Sequence, residues 1–99
     1  MNTIKKANRW LINTYSPFPI VITYGEGSTV FDDQNNRYID FTSGIGVSSL
    51  GYGNKKLIEA IENQASKVIH MSNLFYTQEA ADLAEKLCKM SKMEKVFFS

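Results

Sequence analysis

The stretch from Gly25 to Gly53 constrains this chain more than any other. It reads as a glycine turn, two β-type runs about a polar block, and a loop carrying four glycines in ten residues. Tyr24-Gly25-Glu26-Gly27 leads into Ser28-Thr29-Val30-Phe31-Asp32, a turn followed by a β-branched and aromatic run. In Asp32-Asp33-Gln34-Asn35-Asn36-Arg37, the Asp and Asn side chains tolerate turn dihedrals and bond their own backbone. Arg37-Tyr38-Ile39-Asp40-Phe41 returns as a strand, with Tyr38 and Asp40 on one face and Ile39 and Phe41 on the other. Gly44, Gly46, Gly51 and Gly53 then mark a loop whose backbone takes positive φ or is closely approached. This loop is the candidate site.

Ninety-nine residues with 43% apolar composition fit one soluble unit with a modest core. Eleven basic and ten acidic residues leave a net charge of +1, which provides no electrostatic footprint for nucleic acid or an anionic membrane. The single Cys88 has no internal disulfide partner, which favours a reducing, cytoplasmic setting. Lys5, Lys6 and Arg9 precede only Trp10-Leu11-Ile12, too short for the apolar part of a signal peptide. No window approaches the ~20 apolar residues of a membrane span.

Thr3 is placed to cap a helix over 4–13, with Ile4, Ala7 and Leu11 at helical spacing. Pro17 and Pro19 hold residues 15–19 extended. Ile20 to Tyr24 makes a first short strand, so three strands follow one another as a meander. Asn54 is placed to cap a helix over 55–67 with the apolar stripe Leu57, Ile58, Ile61, Ala65 and Val68. Residues 70–76 are irregular and rich in large side chains. Thr77 is placed to cap a third helix to about Met90, with Glu79 in its first turn and Ala80, Ala84, Leu87 and Cys88 on its inner stripe.

Val96-Phe97-Phe98 has no polar alternation, as expected of a strand covered on both faces of a parallel sheet. It follows a helix, which is the opening of a βαβ rhythm. Such a strand needs parallel neighbours, so the chain is expected to be the front piece of a longer protein. The alternative is a free-standing α+β domain whose last strand pairs with the meander.

The loop fails as a nucleotide cradle. Gly44 and Gly46 begin a Gly-x-Gly-x-x-Gly, but Ser49 stands third and the helix starts too late. Gly46 and Gly51 have phosphate-loop spacing, yet Tyr52 and Gly53 stand where Lys and a hydroxyl are needed. His70 and Cys88 are the only imidazole and thiol and fall on separate elements, which argues against a metal centre or a Cys–His nucleophile. His70 reads as a packed or surface residue. No catalytic constellation is complete within these residues.

Tyr24-Gly25-Glu26-Gly27-Ser28-Thr29-Val30-Phe31-Asp32 and Arg37-Tyr38-Ile39-Asp40-Phe41-Thr42-Ser43-Gly44-Ile45-Gly46-Val47 together resemble the N-terminal signature of class III pyridoxal-phosphate aminotransferases, most nearly the acetylornithine type. The similarity continues through 60–65, 70–76 and 83–87 and reaches Val96-Phe97-Phe98-Ser99. It implies an α/β chain: the N-terminal piece of a fold-type-I transferase, with a short antiparallel meander plus helices and then the first strand of the large-domain sheet. Residues 1–53 would belong to the small domain and 54–99 to the start of the large cofactor-binding domain.

The resemblance implies pyridoxal 5'-phosphate as cofactor, bound by residues beyond this chain, since the helix holding its phosphate and the lysine carrying it come later in the family. Residues 1–99 alone are therefore expected to be inactive. The implied whole protein is a cytoplasmic homodimer acting on amino acid and 2-oxo acid substrates, N-acetylornithine and 2-oxoglutarate, in arginine biosynthesis. It is expected to have no nucleic-acid or membrane partner. By the same resemblance, Ser43, Gly44 and Ile45 lie over the substrate side chain and Tyr15 lies near the pocket mouth.

Ornithine-type relatives tend to carry Tyr where Ile45 stands. A phenol there could bond a free amine, whereas Ile45 offers apolar contact and favours an acylated donor or 4-aminobutyrate. Plainer readings stand beside these: loop packing for Ile45, and core packing beside Trp10 and Phe18 for Tyr15. Three departures are clear, since Tyr52, Asn54 and Lys55 occupy positions where the family usually has two histidines and a proline. Segment 73–76 is a candidate subunit interface. A non-enzymatic interaction module using Phe75, Tyr76, Phe97 and Phe98 is the remaining alternative.

Overall fold

One carboxylate organises the sheet. In the computed structural model, which describes residues 2–99, Asp32 is only 8% exposed and lies at the end of a strand entering a tight turn. Its Oδ1 accepts from the N–H groups of Gln34 and Asn36 at 2.9 and 2.8 Å. Its Oδ2 accepts from the Asn36 side-chain amide at 2.9 Å and the Tyr38 hydroxyl at 3.0 Å. Asn35 takes the left-handed turn position at φ 67°. Every lone-pair direction of a nearly buried carboxylate is thereby used, which offsets the loss of its water shell.

Around that turn run β1 (Ile22–Glu26), β2 (Thr29–Asp32) and β3 (Arg37–Ile39), antiparallel in the order β1-β2-β3. The meander is as expected, with shifted ends. Strand β1 starts at Ile22 rather than Ile20 because residues 18–20 form a tight turn, with the Ile20 N–H donating to the Phe18 carbonyl at 2.7 Å. The register slips between Ile22 and Tyr24, and the Thr23 hydroxyl at this bulge lies 3.1 and 3.2 Å from the carbonyls of Phe31 and Asp32. Past the bulge, Tyr24 stacks on its cross-strand partner Phe31, ring centres 4.4 Å apart. Val30, at 9% exposure, is the one buried apolar side chain among the described residues.

Strand β3 ends at Ile39 rather than Phe41, because the Asp40 side chain captures the backbone of the next residues. The polar face of β3 is the covered one: Tyr38 and Asp40 are half-buried, while Ile39 and Phe41 are exposed. Hydrogen-bonded carboxylates, rather than apolar burial, set the inner side of this strand.

Helix α1 (Thr3–Trp10) is capped by Asn2, whose Oδ1 accepts from the Lys5 N–H at 2.9 Å, so Thr3 is the first helical residue and not the cap. It stops at Trp10 instead of residue 13, where Ile12, Asn13 and Thr14 bring weak helix formers together. Helix α2 (Lys55–Ala65) begins as expected, with Asn54 Oδ1 accepting from the Leu57 N–H at 3.0 Å. It ends two residues early, where the Gln64 side chain donates to the Val68 carbonyl and the Ser66 hydroxyl to that of Asn63. A single 3-10 turn covers Ser72–Leu74.

Helix α3 (Gln78–Ser91) follows Thr77, but the Thr77 hydroxyl makes no capping bond. At the other end Lys92, in the left-handed conformation, closes the helix. Ala84 and Cys88 on its inner stripe are half-buried and line a shallow hollow with Val96.

Residues 96–98 form no strand here, and Phe97 is 85% exposed. A parallel-sheet strand exists only through its neighbours, and among the described residues none pairs with it, the meander included. Contacts divide the chain into one unit running to Ala60 and a second from Ile61 to Ser99. Among the described residues, no helix is long and apolar enough to cross a membrane, and no three His, Cys, Asp or Glu side chains are grouped to hold a metal.

Candidate functional site

The loop after β3 is one turn of left-handed helix. Ser43, Gly44, Ile45 and Gly46 have φ values of 50, 59, 60 and 85° in succession. The turn is closed by the Ile45 N–H donating to the Thr42 carbonyl at 2.9 Å and the Ser48 N–H donating to the Ser43 carbonyl at 2.8 Å. Left-handed geometry is natural for the two glycines but disfavoured by about 1–2 kcal/mol for a residue with a Cβ, and most of all for a β-branched one such as Ile45. Strain of that kind persists only where the surroundings hold it.

Those surroundings are polar and lie beneath the loop. Asp40 Oδ1 accepts from the Thr42 N–H and Thr42 hydroxyl, both at 2.8 Å, and from the Ser43 N–H at 3.1 Å. Its Oδ2 accepts from the Tyr52 hydroxyl at 2.5 Å, on the far side of the loop. The Tyr52 hydroxyl first, then the Thr42 hydroxyl and N–H, depress the Asp40 pKa to about 2. The same bond raises the pKa of the Tyr52 phenol.

Tyr52 is itself fixed by a two-way backbone bridge to Gly27, its N–H to the Gly27 carbonyl and the reverse, each 2.9 Å. The Tyr52 ring lies directly on Gly25, where a Cβ would come within 2.5 Å of its Cγ. A small cavity of about 70 Å³ under the loop is lined by Ser28, Asp40, Ser43, Ser48 and Tyr52.

With its polar groups turned inward, the loop presents apolar side chains outward. Ser43 and Ser48 are half-buried, whereas Phe41 and Ile45 are 92 and 96% exposed. Water disfavours such an arrangement. Ser43, Gly44 and Ile45 all lie in this left-handed turn. Tyr15 lies elsewhere, 84% exposed, lining a separate hollow of about 570 Å³ with Trp10, Leu11, Ile12 and Pro17. It is not packed in a core, and Trp10 and Phe18 are exposed as well.

Sequence reasoning did not single out Asp40, Gly25 or the role of Tyr52. Asp40 carried a usable signal, an Asp followed two and three residues on by Thr and Ser, the spacing at which a carboxylate bonds the backbone ahead of it. Tyr52 carried none beyond standing where a histidine was expected.

Residues 11–99 match the family model described as aminotransferase class-III. The chain belongs to the class-III aminotransferases. The acetylornithine aminotransferase of Clostridium acetobutylicum is 44% identical over 88 residues, covering 89% of this chain and 23% of that protein. The crystal structure of N-acetylornithine aminotransferase from Stenotrophomonas maltophilia K279a superimposes with a TM-score of 0.82 at 36% identity, over 95% of this chain and 24% of that one. Ornithine delta-aminotransferase of Plasmodium falciparum superimposes with a TM-score of 0.87 at 25% identity, over 93% of this chain and 24% of that one.

The chain therefore spans about a quarter of the length of these class-III relatives. Backbone shape does not separate the two donor types, since the ornithine enzyme superimposes at least as well as the acetylornithine one. Class-III aminotransferases depend on pyridoxal phosphate. Among the described residues no site fits that group, since every lysine is exposed and none lies in the left-handed loop.

Proposed function

We propose that these residues are the N-terminal part of a homodimeric cytoplasmic aminotransferase that moves an amino group between N-acetylornithine and 2-oxoglutarate, a step of arginine biosynthesis. The observation that carries the choice of donor is Ile45, held almost fully exposed at the crown of the loop with no donor or acceptor of its own. Against such a side chain, a free δ-ammonium would lose water without gaining a partner, which is costly. An acylated nitrogen carries no charge there. The higher identity to acetylornithine enzymes, 44 and 36% against 25% for an ornithine enzyme, supports the same choice.

In this reading the loop is a wall. It orients the donor's side chain and excludes water from one side of the pocket, while the cofactor chemistry belongs to residues outside this segment. The assignment of Tyr15 to the pocket mouth rests on the family alone, since within this chain it lines a hollow of its own. The exposed Leu74, Phe75 and Tyr76 meet the second subunit, because large apolar side chains outside a core need a partner surface.

The full-length protein, assayed with 2-oxoglutarate as acceptor, is expected to show a higher kcat/KM for N-acetylornithine than for ornithine or 4-aminobutyrate. Equal or greater kcat/KM for either competitor would overturn the donor assignment.

A further inference from the structure

The Asp40–Tyr52 pair is not among the residues that face the donor in this reading, yet it joins the two ends of the loop that does. One carboxylate oxygen takes the two backbone N–H groups entering the loop, at Thr42 and Ser43, and the other takes the phenol leaving it, at Tyr52. From the Ser43 anchor onward run the four successive left-handed residues, including the strained Ile45. A left-handed turn containing a β-branched residue would relax if either end were free.

The far anchor is independently immobilised. Tyr52 is bridged to Gly27 through its backbone and seated on Gly25 through its ring. Gly51 beside it takes φ 75°, and a Cβ there would stand 2.8 Å from the Gly27 carbonyl oxygen, so the chain can leave the loop this close to the hairpin only through glycine. Sheet, phenol, carboxylate and loop form one connected chain of contacts.

We propose that Asp40 and Tyr52 are positioning residues for the amino donor, acting through Ile45: together they latch the loop in its left-handed form and so set where the apolar wall stands. This rests on the donor-wall reading of the loop. Binding would be affected more than chemistry, because the wall contacts a part of the donor that does not react.

The test uses the full-length protein and Tyr52→Phe, which removes one oxygen and leaves the ring and the backbone bridge in place. Hydrogen exchange at residues 42–48 is expected to speed up by about tenfold, the scale of losing a hydrogen bond to a charged group, with the rest of the meander unchanged. KM for the amino donor is expected to rise by a similar factor, with kcat changed less than about twofold.

Asp40→Asn should act in the same direction and more strongly; should it fail to fold, Tyr52→Phe alone decides. Unchanged exchange at 42–48 overturns the latch. Faster exchange with an unchanged donor KM overturns its role in positioning the donor. If the unmodified protein transfers no amino group, the proposed function falls and the positioning role falls with it, and exchange alone decides whether the latch exists.

Discussion

The Tyr52 ring and the Gly25 backbone occupy adjoining space with no room for a methyl group between them: a Cβ at position 25 would stand 2.5 Å from the Tyr52 Cγ and 2.8 Å from its Cβ. The atoms in the way belong to the base of the side chain, next to a backbone bridged to Gly27, so the ring cannot swing clear. Gly25→Ala is expected to destabilise the full-length protein by about 1–3 kcal/mol, the scale of overpacking a filled site. Chemical denaturation checks it. Gly27→Ala, with open space around its Cβ, should show only the smaller effect of a positive φ.

Acid should loosen the meander and its loop in a defined window. Both Asp32 and Asp40 have carboxyl pKa values held below the ordinary range, the first chiefly by the Asn36 side-chain amide and the second chiefly by Tyr52. A depressed folded-state pKa contributes stability that is present above the unfolded value of about 4 and lost as pH falls toward the folded one. For Asp40 that loss runs down to about pH 2. Exchange at Thr42 and Ser43, corrected for intrinsic rate, should rise through this window, and Asp40→Asn should remove the pH dependence at those amides. At the alkaline end the sign reverses. The raised pKa values of Tyr38 and Tyr52 contribute stability below about 10 that is lost as pH climbs through the folded values.

Ile45→Tyr in the full-length enzyme should shift donor preference toward ornithine, because a phenol supplies the hydrogen-bond partner that the isoleucine lacks. A tenfold or larger change in the ratio of kcat/KM values is the expected scale, one hydrogen bond to a charged group. An unchanged ratio would remove Ile45 from the specificity argument.

Ile45→Gly separates strain from function at the same position. With φ at 60° the backbone would relax by about 1 kcal/mol without the β-branch. The protein should therefore be as stable as before or more so, and should bind its amino donor more weakly. Thermal denaturation and donor KM, measured together, check both halves.

Residues 1–99 produced alone should neither bind pyridoxal phosphate with a visible absorbance nor unfold cooperatively. Among the described residues Val30 is the only buried apolar side chain, while Phe41 and Phe97 are 92 and 85% exposed. Cooperative unfolding requires a shared core to lose. Strong dye binding with a broad thermal transition is expected, whereas a sharp transition from a compact monomer would contradict the assignment.

Much of the local structure was legible because its causes are local. Asn54 caps α2 through a bond three residues away, and the run from Asp32 to Asn36 makes its turn with its own side chains. Element ends were less legible wherever a side chain competed with the ladder or helix, as Asp40 does at the end of β3 and Asn2 does ahead of Thr3. Thr77 had the right chemistry for a cap and the wrong placement. The sequence suggested the loop at Ser43–Ile45, but nothing in residue spacing said that four consecutive residues would turn left-handed.

By itself the sequence determined the order of the three helices and the meander, though not the strand expected at 96–98, together with the turn chemistry and the family, because short-range hydrogen bonding and the succession of motifs are written along the chain. Tertiary structure alone decided which face of β3 is covered, that Gly25 must lack a side chain, and that Asp40 meets Tyr52 across the loop. Those outcomes depend on groups brought together from different elements, and a contact across a fold leaves no periodicity in the chain that forms it.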